Sequence, residues 1–493
     1  MNPTPANAEA PAPSLGMWDA VSIIVGIIIG ATIYKMPPLI FGGFARPEYA
    51  IGAWVLGGAL SLVGALCYAE LATTYPTSGG DYSYLSRAFG RPVGFLFAWS
   101  EMSVIRTGGS IAAMAYVFAG AVKSLPGLDI GLHAGMAYAS LAIIALALVN
   151  LAGLKPGRLT QNGLTLAKVV GVGAIIVAGA VWFAQGNTPV TEVLLPEPPA
   201  NAWGGFGLAM VFIFYAYGGW NEAAYVAAEV RDRRRNMLRA LVVGVSLVTL
   251  IYVLVNLAYL GGLGFAGARS FGKELVPARV MRLHFGDAGA VAMTVLIGIS
   301  ALGAINGLLF TGIRLYSTFG ADSRLFAFLA RRGRWPVPPG ALIVQVLFSV
   351  ALIGLIESGD FWKRGVAAVA GAVSLDLPKA FLPPEGPAKP KDFEDLVTCT
   401  APVFWLFFLL TGVSLLVLRG RDPNRERPFR VPLYPVTPLV FIGSCMFMLY
   451  RSTDYALSQK PAEALIVAAF MLLGVPLYAL SGPPKGHTTP VEA

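Results

Sequence analysis

The sequence predicts an all-α integral membrane protein, built as one helical bundle. Three observations lead there. Only 13% of the 493 residues are charged and 56% are hydrophobic, whereas an ordinary soluble chain carries about 25% charged residues. The apolar residues gather into runs of about 20, the length that crosses a bilayer as a helix. The runs are continuous and do not alternate at period two, which argues against a membrane barrel.

The elements follow in order. Residues 1–16, a Pro/Ala-rich stretch, lack the basic start and short apolar core of a signal peptide and read as a disordered cytoplasmic tail. Apolar runs then begin near Val21, Ile51, Gly94, Leu132, Leu164, Gly207, Met237, Ala290, Gly340, Thr398, Pro438 and Ala464. By length these are about twelve spans. Basic residues follow every second run: Arg87 and Arg91, Lys155 and Arg158, Arg231 and Arg233 to Arg235, Arg324 to Arg334, and Arg419 to Arg430. The loop over 185–202 has no Lys or Arg. This asymmetry puts both termini, including the tail 482–493, in the cytoplasm. It also accounts for the net charge of +9 without a nucleic-acid partner. Residues 357–395 contain "LPPEGPAKPKDFED" and read as an external loop, with a short helix around 366–373; a re-entrant element is the alternative.

Two of the spans are interrupted. The first, "VSIIVGIIIGATIYKMPPLIF", carries Gly26 and Gly30 at small-xxx-small spacing, which suits close helix packing. Lys35 and the Pro37–Pro38 pair then fit a discontinuous helix better than an unbroken one facing lipid. The sixth, "FYAYGGWNE", places Gly218 and Gly219 mid-span and follows them with Asn221 and Glu222. If the chain divides after the fifth span, the breaks occupy corresponding places in two halves, the pattern that marks a substrate site in repeat-built transporters. Unwound backbone exposes groups that lipid cannot satisfy. Half-helix N-termini favour a carboxylate, and freed carbonyls favour a cation. A zwitterion such as an amino acid matches both.

Several segments also resemble one family. "GALCYAELATTYPTSGGDYSYLSRAFGRPVGFLFAW", "FYAYGGWNEAAYVAAEVRDRRRNMLRA" and "LFFLLTGVSLLVLRGRDPNRERPFRVPLYP" are similar to the span-two-to-three, span-six and span-ten signatures of the amino acid–polyamine–organocation family. "GFLFAWSEMSVIR" and "YGGWN" look most like its L-type branch. The resemblance covers nearly the whole chain. It implies the leucine-transporter fold, with 12 transmembrane helices: two inverted five-helix repeats over 17–185 and 203–418, and two extra helices over 432–481. It implies a secondary transporter of amino acids, neutral ones first, working by alternating access as a proton-coupled carrier or an exchanger. The alternatives are an amine, polyamine or cationic amino acid carrier, or a transport-inactive sensor of the same fold. By the same resemblance, amides of Ala31, Thr32 and Ile33, after Gly30, bind the substrate carboxylate. Carbonyls of Tyr215, Ala216 and Gly218 bind its amine, Tyr215 takes the place of a gate residue, and Tyr217 and Asn221 complete the substrate set. One position departs from the family pattern: Thr32 stands where a second glycine is usual. A β-branched side chain there resists positive φ and fills space, but offers its own hydroxyl.

Lys168 lies in an apolar span, where a charge is expensive and usually functional. It is also roughly ten residues, or about 15 Å of helix, from the basic turn 155–158, so snorkelling to the interface is the other reading. The resemblance favours the first, because some family members carry a fifth-span lysine where sodium-coupled relatives bind sodium. Its ammonium then serves proton coupling, or acts as a fixed charge in an exchanger. Glu101 and Arg106 read as a structural pair, and Glu222 as a polar group inside the bundle, with direct substrate contact as the second reading. Glu70 and Glu229 read as interfacial or gating residues, and Phe404 and Trp405 as packing residues that the resemblance makes candidates for pocket wall.

Other chemistries find no support. A G-x-G-x-x-G match at Gly262, Gly264 and Gly267 follows a membrane run, not a strand, and is discarded as a nucleotide site. There is no H-E-x-x-H, Walker loop or G-x-S-x-G, so no cofactor, metal or enzymatic activity is expected. Cys67, Cys399 and Cys445 show no metal or disulfide spacing. Animal L-type relatives join a glycoprotein through a cysteine between spans three and four; "VKSLPGLDIG" has none, so no disulfide-linked heavy chain is expected. Short loops without glycosylation sequons suit a bacterial inner membrane.

Overall fold

The computed structural model describes residues 16–30, 32–77, 79–131, 133–186, 202–222, 230–270, 275–357 and 393–482. Both tails, most of the segment 357–395, Ala31 and Glu229 lie outside the described residues. Regular structure within them is helical: α1 Met17–Ile28, α2 Thr32–Lys35, α3 Pro37–Gly42, α4 Pro47–Thr74, α5 Asp81–Phe89, α6 Arg91–Lys123, α7 Ala134–Leu151, α8 Leu154–Ala184, α9 Ala202–Tyr217, α10 Arg233–Arg269, α11 Val276–Asp322, α12 Pro339–Glu357, α13 Phe393–Arg421, α14 Val436–Gln459 and α15 Pro461–Ser481. Among the described residues, 10 helices are long and apolar enough to cross a membrane. Two further expected spans fall on α12 and on α9, whose continuation over 223–229 is not described. The chain is thus an integral membrane protein.

Both expected interruptions are present. α1 ends at Ile28; Ile29, with φ −69 and ψ 79, leaves the helix, which resumes at Thr32. The two prolines open α3, at its first positions, where a missing N–H costs nothing. They start a helix and do not break one. α9 ends at Tyr217, followed by a tight turn in which Gly218 N–H donates to the Tyr215 carbonyl at 3.1 Å. Gly219 has φ +115, a conformation that L side chains rarely adopt, and a Cβ there would stand 2.7 Å from Cγ2 of Ile27. The two breaks therefore touch each other, and glycine is what lets them.

α1 sits among α8, α10 and α11, while α4 packs on α9 and α10. α11 lies along α8 and the second half of α6, and α13 pairs with α14. Close packing of α1 on α8 uses Gly26, where a Cβ would be 2.4 Å from Oγ1 of Thr165. α6 is unusual: from Glu101 to Ala112 it is wound as a π-helix, with i→i+5 bonding. Such stretches recur at functional sites. The basic loops gather on one face, where Arg91 donates to the Asp322 carbonyl at 2.9 Å and the Tyr75 hydroxyl to Asp422 at 2.6 Å. The discarded glycine motif lies inside the end of α10, which kinks at Gly264 with φ 67.

Candidate substrate site

A cavity of about 90 Å³ lies where the breaks meet. On the measure by which one water needs roughly 10–15 Å³, this is room for several waters or a small solute. The first span contributes Gly30 and Thr32, and the sixth contributes Tyr215, Gly218, Asn221 and Glu222. Glu101 and Arg106 of α6, Leu308 of α11 and Phe404 of α13 also line it. Of the other expected substrate residues, Ile33, Ala216 and Tyr217 are fully buried behind this wall. Trp405, grouped with Phe404 in the sequence, packs instead against Phe214 with ring centroids 5.4 Å apart.

Thr32 does not hold a strained backbone. It begins α2, and the positive-φ residues other than glycine among those described are Asp232 and Leu433. Its Oγ1 is buried and has no hydrogen-bond partner, so the hydroxyl takes over as a polar group where the family pattern has a second glycine. The Tyr215 hydroxyl donates to the Gly109 carbonyl of α6, and its ring meets Phe393 with centroids 5.8 Å apart. Tyr215 thus bridges from the sixth span to α6 and α13 at the cavity wall.

Tyr252 is a residue at the junction of the breaks that the sequence reading missed. Its hydroxyl lies 2.8 Å from the Ile28 carbonyl and 3.0 Å from the Ala216 carbonyl, bridging the ends of both half-helices. Tyr259, seven residues on, reaches the Ile33 carbonyl at 3.4 Å. Two phenols on one face of an otherwise apolar span were the available signal, since a buried tyrosine hydroxyl needs a partner.

The charged residues form a junction. Arg106 donates to Oε2 of Glu101 at 3.0 Å, across five residues of π winding. It also donates to both oxygens of Glu222, at 3.1 and 2.9 Å, a bidentate arrangement. Further bonds reach Oγ1 of Thr311 at 3.1 Å and the Leu308 carbonyl at 3.2 Å. Glu222 lies within the turn Trp220–Glu222 itself, closer to the break than a restarted helix would put it.

Lys168 does not snorkel. It is 1% exposed and donates to the Gly26 carbonyl at 2.6 Å, tying α8 to α1 just before the first break. Gly303 makes room for it; a Cβ there would be 2.6 Å from Cε of Lys168. A polar seam continues from this point: Asn306 donates to Gln161 at 3.0 Å, and Asn150 to Asn306 at 2.8 Å. Toward the basic face, Glu70 is 1% exposed and accepts bonds from Nε of Arg419 and from the Val431 N–H, both at 2.7 Å. That junction joins α4 to α13 and the segment before α14. No group of three or more His, Cys, Asp or Glu among the described residues could hold a metal ion.

Comparison with known proteins agrees with this geometry. The amino acid permease family matches residues 15–486. The chain is 28% identical to the b(0,+)-type amino acid transporter 1 of Mus musculus over 477 residues, covering 94% of this chain and 87% of that protein. It is 29% identical over 485 residues to the large neutral amino acids transporter small subunit 2 of Oryctolagus cuniculus, covering 94% of this chain and 80% of that one. With a family match along nearly its whole length, and two broken helices meeting at one cavity, the chain belongs to the amino acid permease family.

Proposed function

We propose that this permease moves amino acids by alternating access around the cavity between the two breaks. The Thr32 hydroxyl and the backbone after Gly30 take the substrate carboxylate, and the freed carbonyls of the sixth span take its ammonium. What supports this is the meeting of both half-helix ends at one small cavity, lined by Gly30 and Thr32 from one break and by Tyr215 and Gly218 from the other. Two ties between helices serve as its gates in this reading: Tyr215 to Gly109 of α6, and Glu70 to Arg419. A carrier that opens one at a time exposes the substrate to one side only. The basic face lies toward the cytoplasm by the positive-inside rule, which suits a bacterial inner membrane protein with both termini inside.

Lys168 supplies the coupling element in this reading. Its ammonium sits against a first-span carbonyl, where a bound cation would otherwise hold that helix. An ammonium that gives up and regains its proton couples transport to pH; one that does not remains a fixed counter-charge for exchange. All three cysteines are buried, which favours a carrier working without a disulfide-linked partner.

Proteoliposomes holding the purified chain, with pH and sodium gradients imposed separately, test the proposal. Accumulation or counterflow of a labelled amino acid is expected, with the pH gradient mattering more than the sodium gradient. Binding with no movement of any amino acid, amine or polyamine would leave a sensor in place of a carrier.

A further inference from the structure

The basic face carries a groove that the substrate cavity does not use. It has a volume of about 390 Å³ and lies between α4, α10 and the segment that leads into α14. Leu66, Leu238, Val242 and Phe429 give it apolar walls, and Arg239 and Arg430 line it too. Both arginines are exposed, and no acidic residue is among the described residues that line the groove. Other arginines of the run 419–430 turn toward protein groups. Arg419 and Arg427 reach Glu70 at 2.7 and 3.5 Å, and Arg425 donates to the Thr74 carbonyl at 3.2 Å. Arg430 meets a second arginine at the groove instead. Arg239 and Val242 lie six and nine residues from the start of α10 at Arg233, about 9 and 14 Å along the helix. The arginines can therefore stay at headgroup depth while the apolar wall reaches the hydrocarbon. Leu433 and Val436, next along the chain, are 79% and 57% exposed, as residues that face lipid are.

We propose that this groove binds an anionic phospholipid, its phosphate held by Arg239 and Arg430 and one acyl chain lying along Leu66, Leu238 and Val242. Apolar helix faces meet lipid all around a membrane protein; the two guanidinium groups give this one a headgroup preference. Arginine makes charge-assisted, often bidentate bonds to phosphate oxygens, and basic pockets between membrane helices hold such headgroups. A zwitterionic lipid brings its own cation to two positive charges and binds less well. The position has a consequence for the protein. Val431, between Arg430 and Pro432 of the groove, donates its N–H to Glu70 at 2.7 Å. Arg419, also bonded to Glu70, lies over the Tyr434 ring at 3.8 Å from its centroid. A lipid that ties this segment to α10 therefore holds the Glu70 junction together. The binding does not depend on what the carrier moves.

Native mass spectrometry of the full chain in detergent tests this, with phosphatidylglycerol and phosphatidylcholine of matched chains offered in equal amounts. The wild-type chain should retain phosphatidylglycerol in preference by on the order of tenfold. Arg239→Gln combined with Arg430→Gln should remove most of that preference. Val242→Trp keeps both charges but fills the groove, and should remove it as well. Glycerol phosphate, which has the phosphate without the chains, should not displace the lipid. Phosphatidylglycerol should also raise the melting temperature of the wild-type chain more than that of the double variant. Equal retention of the two lipids by the wild type would overturn the proposal. So would a preference unchanged by either variant, displacement by glycerol phosphate, or equal stabilisation of wild type and double variant.

Discussion

Lys168 and the Gly26 carbonyl, 2.6 Å apart, show how much one buried side chain constrains the first span. Removing the ammonium leaves that carbonyl without its donor at the point where α1 ends. Lys168→Ala is expected to lower uptake by on the order of tenfold and to flatten its dependence on pH across neutrality. Unchanged uptake and an unchanged pH profile would take Lys168 out of the mechanism. At this scale the sequence was informative where chemistry is local. A lysine in an apolar run, a threonine in place of a glycine, and an amide and carboxylate after two glycines stand out in a linear reading. Arg106 and Glu222 did not announce each other, since 116 positions separate them and only the folded chain brings them within 2.9 Å. Glu101 and Arg106 were read as a pair, and they are one; what the sequence left out is the π winding that aligns residues five apart where an α-helix does not.

Among the elements, the sixth span rests on a single backbone conformation. Gly219, at φ +115, sits in contact with the end of α1. Holding any other residue in such a conformation costs on the order of 1–3 kcal/mol. Gly219→Ala is therefore expected to lower thermal stability in detergent, and to reduce counterflow more than the loss of stability explains. A variant with wild-type melting and transport would show that the turn adapts. Both interruptions were legible because glycine and proline punctuate apolar runs so plainly. The diproline was legible only in part: it marks a discontinuity, but its structural role is to open α3. The π winding over "EMSVIRTGGSIA" had no such marker, and the stretch reads only as part of the third span.

For the whole molecule, Glu70 stands as the counterpart to Tyr215 on the other side of the cavity. It holds α4 to Arg419 and to the Val431 N–H. Glu70→Gln weakens charge-assisted bonds that are roughly twice as strong as neutral ones. It should shift the population toward a form open on the basic face. Cys67, 1% exposed and one turn before Glu70, reports this directly. Its modification by a membrane-permeant thiol reagent is expected to rise severalfold in the variant, and no rise would mean that Glu70 serves stability alone. The span pattern and the family were legible from composition and motifs. Tyr215 as a gate and Glu70 as an interfacial or gating residue were read there too, but not the partners they hold, Gly109, Arg419 and Val431, which come from distant spans.

Tyr252 carries one further consequence. A hydroxyl has one proton to donate, and here two carbonyls, one from each broken helix, lie within reach of it. The Ile28 carbonyl also accepts from the Gly30 N–H at 2.6 Å, so the Tyr252 proton can serve Ala216 while its oxygen stays against both breaks. The phenol is thus a pin between the ends of the two broken helices, present whether or not the cavity is loaded. Tyr252→Phe should therefore loosen both breaks together and lower net uptake and counterflow alike; a fall in one of them alone would overturn this role.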